Sequence, residues 1–280
     1  MHDNNELKLD VLDGLELLGC ELDTAPAVEM VLFDKPELNL PPPIKPQLRT
    51  RSSGQASSQQ DKRSEQITEF CQRRKISDIC HFTRIENLKG IISEGLLPRA
   101  VLEKRSAASL PIFTDEFRFD RQKNASCLSL SFPNYKMFWQ KRRQSGDDNL
   151  WVVVIYDYST ITRLNCAFTT QNAAASVNLN SDIASRNTVE NLAELFGDFG
   201  SIQRRDLRLP DHYPTNPQAE VLAFETIPAK YIKQVVFFAS SQAKQWLSEN
   251  GQMYPINKYS LNESMFKCRM DFASWKKEML

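Results

Sequence analysis

Residues 213–224 read "YPTNPQAEVLAF", a proline-broken loop that runs into a strongly apolar strand. It carries Gln218 and Glu220, two residues apart, to that strand. Strand side chains alternate between faces, so a strand that starts this early places both on the face continued by Leu222 and Phe224. A carboxylate on an otherwise apolar face costs free energy unless it is held by partners, and such positions are enriched in functional residues. The bland alternative is a structural ion pair with an arginine from the preceding loop.

That loop, "GDFGSIQRRDLRLPDHYPTNPQ" (197–218), holds Arg204, Arg205, Arg208, His212 and Tyr213. Loops this long inside a compact domain tend to be functional or disordered. Because it ends directly at Gln218-Ala219-Glu220, a role in substrate recognition is expected. Farther upstream, "ITEFCQRRKISDICHFT" (67–83) predicts a helix and then a short strand over 79–82. In "TRIENLKGIISEGLL" (83–97), Thr83 and Glu86 have capping-box spacing, Ile85, Leu88, Ile91 and Ile92 form a stripe, and Gly95 suits a helix end. Strands are expected in "ASCLSLSF", "LWVVVIYDY", "AEVLAFETI" and "KQVVFFA", and helices in "NYKMFWQKRR", "TVENLAELFG" and "SQAKQWLSEN". The mixture suits an α+β fold better than regular βαβ repetition.

Charge and composition narrow the function classes. The 280 residues carry no formal net charge, but the first 60 hold ten acids against five bases, so the remainder is +5. A mildly basic later region permits an anionic partner. Residues 1–35 read as an acidic, poorly ordered arm and 36–64 as a Pro/Ser/Gln-rich linker, with the folded domain over 65–280. The six cysteines show no regular spacing, so reduced thiols are expected and a disulfide framework or zinc site is not. No signal peptide and no apolar run of membrane-spanning length is present, and the expected location is the cytoplasm.

Three segments in order, "HFTRIENLKGIISEGLL" (81–97), "SLSFPNYKMFW" (129–139) and "YPTNPQAEVL" (213–222), resemble the DarT-type DNA ADP-ribosyltransferases of bacterial toxin–antitoxin systems. The resemblance spans roughly residues 75–240. It implies a split, strongly bent β-core with flanking helices, whose cleft grips NAD as substrate and needs no metal. Residue by residue, it implies that His81, Thr83 and Asn87 contact the dinucleotide, that Arg118 (with Arg121 as its near neighbour) is the essential arginine, and that Glu220 is the catalytic glutamate. The chemistry wants these types: a fixed carboxylate stabilises the positive sugar left when nicotinamide departs, and a guanidinium neutralises phosphates. The implied acceptor is a base in single-stranded DNA, thymidine first and guanosine second, with Arg204, Arg205, Arg208, His212, Tyr213 and Gln218 binding the strand. A DarG-like macrodomain antitoxin is the implied partner. Transfer to protein or RNA, and a catalytically silent nucleic-acid-binding module, are the competing readings.

Overall fold

The computed structural model describes residues 29–32, 54–105, 111–113, 122–175, 182–256 and 258–275. Among the described residues eight strands form one mixed sheet: β1 (Glu29–Leu32), β2 (Asp78–Arg84), β3 (Ser126–Leu130), β4 (Trp151–Asp157), β5 (Cys166–Thr169), β6 (Glu220–Ala223), β7 (Ile232–Phe237) and β8 (Lys258–Leu261). Their spatial order is β1-β8-β7-β4-β2-β3-β6-β5, and all pairs are antiparallel except β7 with β8. Helices α1 (Gly54–Arg74), α2 (Leu88–Glu94), α3 (Arg99–Leu102), α4 (Tyr135–Ser145), α5 (Ser159–Arg163), α6 (Val189–Glu194), α7 (Arg204–Leu207), α8 (Ser240–Asn250) and α9 (Phe272–Trp275) accompany it. This is the expected α+β class.

Period-two alternation in β4 explains why both sheet faces are covered. Val152, Val154 and Tyr156 join one core with Ile67, Phe70 and Cys71 of α1 and Trp246 of α8. Val153 and Ile155 turn to the other face, where Phe138 of α4 and Phe266 pack. A sheet buried on both faces reads as a continuous apolar run, as "WVVVIY" does. On α1, Ile67, Phe70 and Cys71 recur at i, i+3 and i+4, the stripe that seats a helix on a sheet.

The join between the two halves of the sheet positions the site. β2 pairs with β4 along all seven of its residues, from Asp78 to Arg84. With β3 it pairs only at Ile79↔Leu130 and Cys80↔Ser129. Beyond that short contact β2 and β3 part, β3 continuing with β6 and β6 with β5. The sheet is therefore forked, with its opening between residues 81–84 and 126–128.

Three expectations change at this level. Helix α1 begins at Gly54, inside the 36–64 stretch read as linker, and β1 lies inside the 1–35 arm; the rest of both stretches is outside the described residues. Arg63 ties α1 to the body by donating to the carbonyls of Asn187, Thr162 and Cys166. The capping box at Thr83 does not form, because β2 continues through Arg84 and Glu86 instead pairs with Arg84 at 3.0 Å. Pairing with β4 wins over local capping here, a tertiary override of propensity. Among the described residues Cys71, Cys80 and Cys166 are reduced thiols, but Cys268 is disulfide-bonded, since spatial proximity is not written in sequence spacing. Gly95 is required as read: its φ is +90° and a Cβ there would collide with the Ile227 carbonyl oxygen.

Candidate active site

The fork opens into a cleft of about 580 Å³, within the range of small-molecule sites, whose lining includes His81, Thr83, Asn87, Ser126, Asn172 and Glu220. Where the β2–β3 ladder ends, the His81 side chain crosses the gap: its Nδ1 lies 2.9 Å from the Cys127 carbonyl oxygen. A carbonyl only accepts, so that partner assigns the ring hydrogen to Nδ1. Thr83, two residues on, is buried and its hydroxyl accepts from Asn87 Nδ2 at 3.0 Å. Asn87 is otherwise occupied with Ile112, donating to its carbonyl at 2.8 Å and accepting from its N–H at 2.9 Å. Expected to meet the dinucleotide, Asn87 lines the cleft and holds the 111–113 segment along it.

Glu220 opens β6 and is 5 % exposed. Its Oε2 accepts from the Ala173 N–H at 2.9 Å and its Oε1 from Asn172 Nδ2 at 3.3 Å. Both oxygens accept, the pattern of an ionised carboxylate held in one orientation. Asn172 is itself fixed, since its Oδ1 accepts from the Ala174 N–H at 2.8 Å. The sequence reading missed Asn172. Its one signal was "QNAAAS" directly after a strand, and nothing in that stretch announces a partner 48 residues away.

The cleft wall also contains two buried polar atoms with no hydrogen-bond partner, Ser126 Oγ and Asn134 Nδ2. Asn134 caps α4, its side chain accepting from the Met137 N–H. Unsatisfied buried donors are rare in folded proteins and call for an explanation, of which a polar ligand is one. Two cleft guanidiniums are already matched by acids: Arg99 with Glu103 at 2.7 Å and Arg105 with Glu94 at 2.6 Å. Arg118 and Arg121 lie outside the described residues. Thiol chemistry is disfavoured at two buried cysteines, as burial pushes Cys71 and Cys166 up to about 12.

The 197–219 loop is tightly tied rather than loose. Arg204 donates to the Thr215 hydroxyl at 3.1 Å and to the Pro210 carbonyl at 3.1 Å. The fully buried Arg269 donates to the carbonyls of Pro214 and Thr215 at 2.8 and 2.7 Å and pairs with Asp271 at 2.6 Å. Gln218 does not share a strand face with Glu220. It lies in the turn closed by Ala219 N–H to the Asn216 carbonyl, and β6 starts only at Glu220. Arg205 and Arg208 are exposed, and Tyr213 packs on Phe132 with ring centroids 5.7 Å apart. In the 136–143 segment, Arg142 is taken by Asp148 and the Phe266 carbonyl, and Phe138 is core.

His212 is half-buried, and burial, helped by Arg204 and Lys75 and opposed by Asp78 and Asp211, lowers its pKa from 6.5. A histidine that titrates lower when folded binds protons less readily than in the unfolded chain, so stability is lost as pH falls below about 6.5. His212→Asn is expected to flatten this part of the urea-midpoint profile between pH 7.5 and 5.5. Parallel profiles for the two proteins would contradict it.

Comparison with known proteins adds to this geometry. A family model described as "ssDNA thymidine ADP-ribosyltransferase, DarT" matches residues 80–266. No curated protein sequence matches the chain. Among solved structures, Thermus sp. 2.9 DarT in complex with ADP-ribosylated ssDNA is similar at 14 % identity and a TM-score of 0.49, over 69 % of this chain and 97 % of that one. The same Thermus protein in complex with NAD+ is similar at 15 % identity and a TM-score of 0.48, over 68 % and 96 %. Thermosipho africanus DarTG in complex with ADP-ribose is similar at 15 % identity and a TM-score of 0.47; the match covers 68 % of this chain and half of that one.

Proposed function

The chain belongs to the DarT family of ssDNA thymidine ADP-ribosyltransferases, whose model spans residues 80–266, and from that premise we propose that the forked cleft is its transfer site. In this reading NAD is the substrate that donates ADP-ribose, and a thymidine base of single-stranded DNA accepts it. The observation that carries the proposal is Glu220, a buried carboxylate held by two donors in the wall of a cleft that His81 also lines.

The described residues fit a dinucleotide. Ser126 Oγ and Asn134 Nδ2 are buried polar atoms lacking partners, and both belong to the cleft lining. His81 and Thr83 form one prong of the fork, and Asn87 holds the 111–113 segment beside them. Glu220 then faces the sugar carbon from which nicotinamide departs. Its negative charge, fixed in advance by Asn172 and Ala173, stabilises the positive character that develops there without having to reorient. The acceptor base must lose a proton as its bond to the sugar forms, and Glu220 is the carboxylate placed to take it. Arg118 is assigned the phosphates by the family resemblance.

A base inside a duplex cannot reach such a cleft, which is why a single strand is the expected substrate. The family resemblance further supports a toxin role, in which a bulky charged adduct on a template base obstructs replication, and a DarG-like macrodomain as the antitoxin that removes it. The test is incubation with NAD and short oligonucleotides of varied sequence, read by mass. Oligonucleotides containing thymidine are expected to gain one ADP-ribose with release of nicotinamide. Labelling confined to guanosine would shift the acceptor, and labelling of protein or RNA alone would overturn the DNA reading.

A further inference from the structure

Away from the cleft, the C-terminal end of α1 meets the 197–219 loop over two buried aromatic rings. Phe70 and Phe196 sit with centroids 5.5 Å apart, and three guanidiniums fan over them. Arg73 lies 5.6 Å and Arg74 5.7 Å from the Phe70 ring, while Arg74 at 4.6 Å and Arg204 at 5.3 Å share the Phe196 ring. Cation–π contact holds such groups in place but does not cancel their charge. Among the described residues neither Arg73 nor Arg74 has an ion-pair partner, and the groups that accept from the Arg204 side chain are a hydroxyl and two carbonyls. Of the nearby acids, Asp271 is taken by Arg269, Asp206 by Arg205 and Asp198 by the Arg204 backbone N–H, while Asp211 acts on Arg204 through its charge. Burial, and after it the positive charges of Arg74 and Arg269, lower Arg204 to about 10 against the opposing pull of Asp211 and Asp271. Exposed Lys75 adjoins the group.

Arginines in the last turn of a helix favour its dipole, which accounts for Arg73 and Arg74 singly. It does not account for a third guanidinium arriving on the same ring pair from a segment 130 residues away. We propose that Arg73, Arg74 and Arg204, spread over the Phe70–Phe196 pair, form a seat for a backbone phosphate of single-stranded DNA beyond the cleft; this rests on the DNA reading above. Arginine suits the task at Arg73 and Arg74, whose planar forks meet phosphate oxygens while their faces stay on an aromatic ring, and Arg204, its donors already taken by the loop, adds charge. The seat is tied to the catalytic strand: Arg204 holds Thr215, and five residues from there to Glu220 span at most about 17 Å. Arg73 and Arg74 precede the residues matched by the family model, so the seat extends the DNA track with an element outside the matched region.

The experiment uses the full chain carrying Glu220→Gln, without NAD, and a fluorescent single-stranded oligothymidylate titrated at several salt concentrations. Each phosphate contact to a single strand contributes about 0.7 to the slope of log affinity against log salt. Adding Arg74→Gln is expected to remove part of that ~0.7, Arg73→Gln/Arg74→Gln to remove nearly all of it, and Arg74→Lys to preserve it. Exposed Lys244→Ala on α8 is expected to leave it as it was. An unchanged slope in a folded Arg74→Gln protein overturns the seat. So does an Arg74→Lys protein that loses as much slope as Arg74→Gln, since charge would then not be the cause. A wild-type chain that binds DNA with these slopes yet transfers no ADP-ribose overturns the transfer reading and leaves the seat standing.

Discussion

Glu220→Gln is expected to lower ADP-ribosyl transfer about 10³-fold, measured as nicotinamide release and as oligonucleotide mass gain. The substitution keeps the size and place of a side chain that is 5 % exposed, so no cavity opens. It removes the negative charge, which is the only property that stabilises a cationic sugar. An amide has one accepting oxygen where the carboxylate has two, so either the Ala173 N–H or the Asn172 amide must face an NH₂ group. That mismatch costs on the order of 1–3 kcal/mol of stability, below the roughly 4 kcal/mol of lost transition-state stabilisation a 10³-fold change represents in rate alone. Thermal unfolding therefore shifts by roughly 2–12 °C while the rate collapses. Because the cleft stays intact, the KM for NAD is expected to change little. A variant that transfers within tenfold of wild type removes Glu220 from the reaction.

Arg269→Met is expected to produce the largest loss of stability from one substitution, about 3–5 kcal/mol, because it strands the buried Asp271 carboxylate. The pair is 1 % and 0 % exposed. Asp271 would keep only the Trp275 indole N–H at 2.7 Å, and the Pro214 and Thr215 carbonyls would lose their donors. For a domain of this size the melting temperature falls by roughly 6–20 °C. The double variant Arg269→Met/Asp271→Leu is expected to recover a large part of that loss, since replacing both members of a buried pair is much milder than removing one. Transfer activity should not recover in parallel, because the carbonyls that lead the chain into Glu220 still lack the guanidinium that holds them. If activity tracks stability in both proteins, Arg269 serves the fold and not the site.

Particular residues show how much was legible. Glu220 stood out as a carboxylate in an apolar strand pattern, His81 was singled out by the family resemblance, and both line one cleft. Thr83 was read as a helix cap because capping is a local rule. It became a cleft-facing strand residue because β4 offered β2 a longer ladder. Gln218 was placed on Glu220's face by period two, but the turn at Asn216 delays the strand by two residues. Arg204 was expected on DNA because basic loops often are. Its hydrogen bonds go to the loop's own hydroxyl and carbonyls, leaving its charge, not its donors, for a partner.

Local periodicity and residue chemistry, which act over a few positions, determined the alternating strands, the apolar stripe of α1, the glycine demanded at 95 and the carboxylate at the mouth of β6. Only tertiary structure decided that β2 and β3 separate after two paired residues, that Asn172 and Ala173 hold Glu220, and that Arg269 secures the loop before it. Each of these joins segments dozens of residues apart, and such contacts arise from how two half-sheets and their connections pack together, a geometry no single segment carries in its own composition.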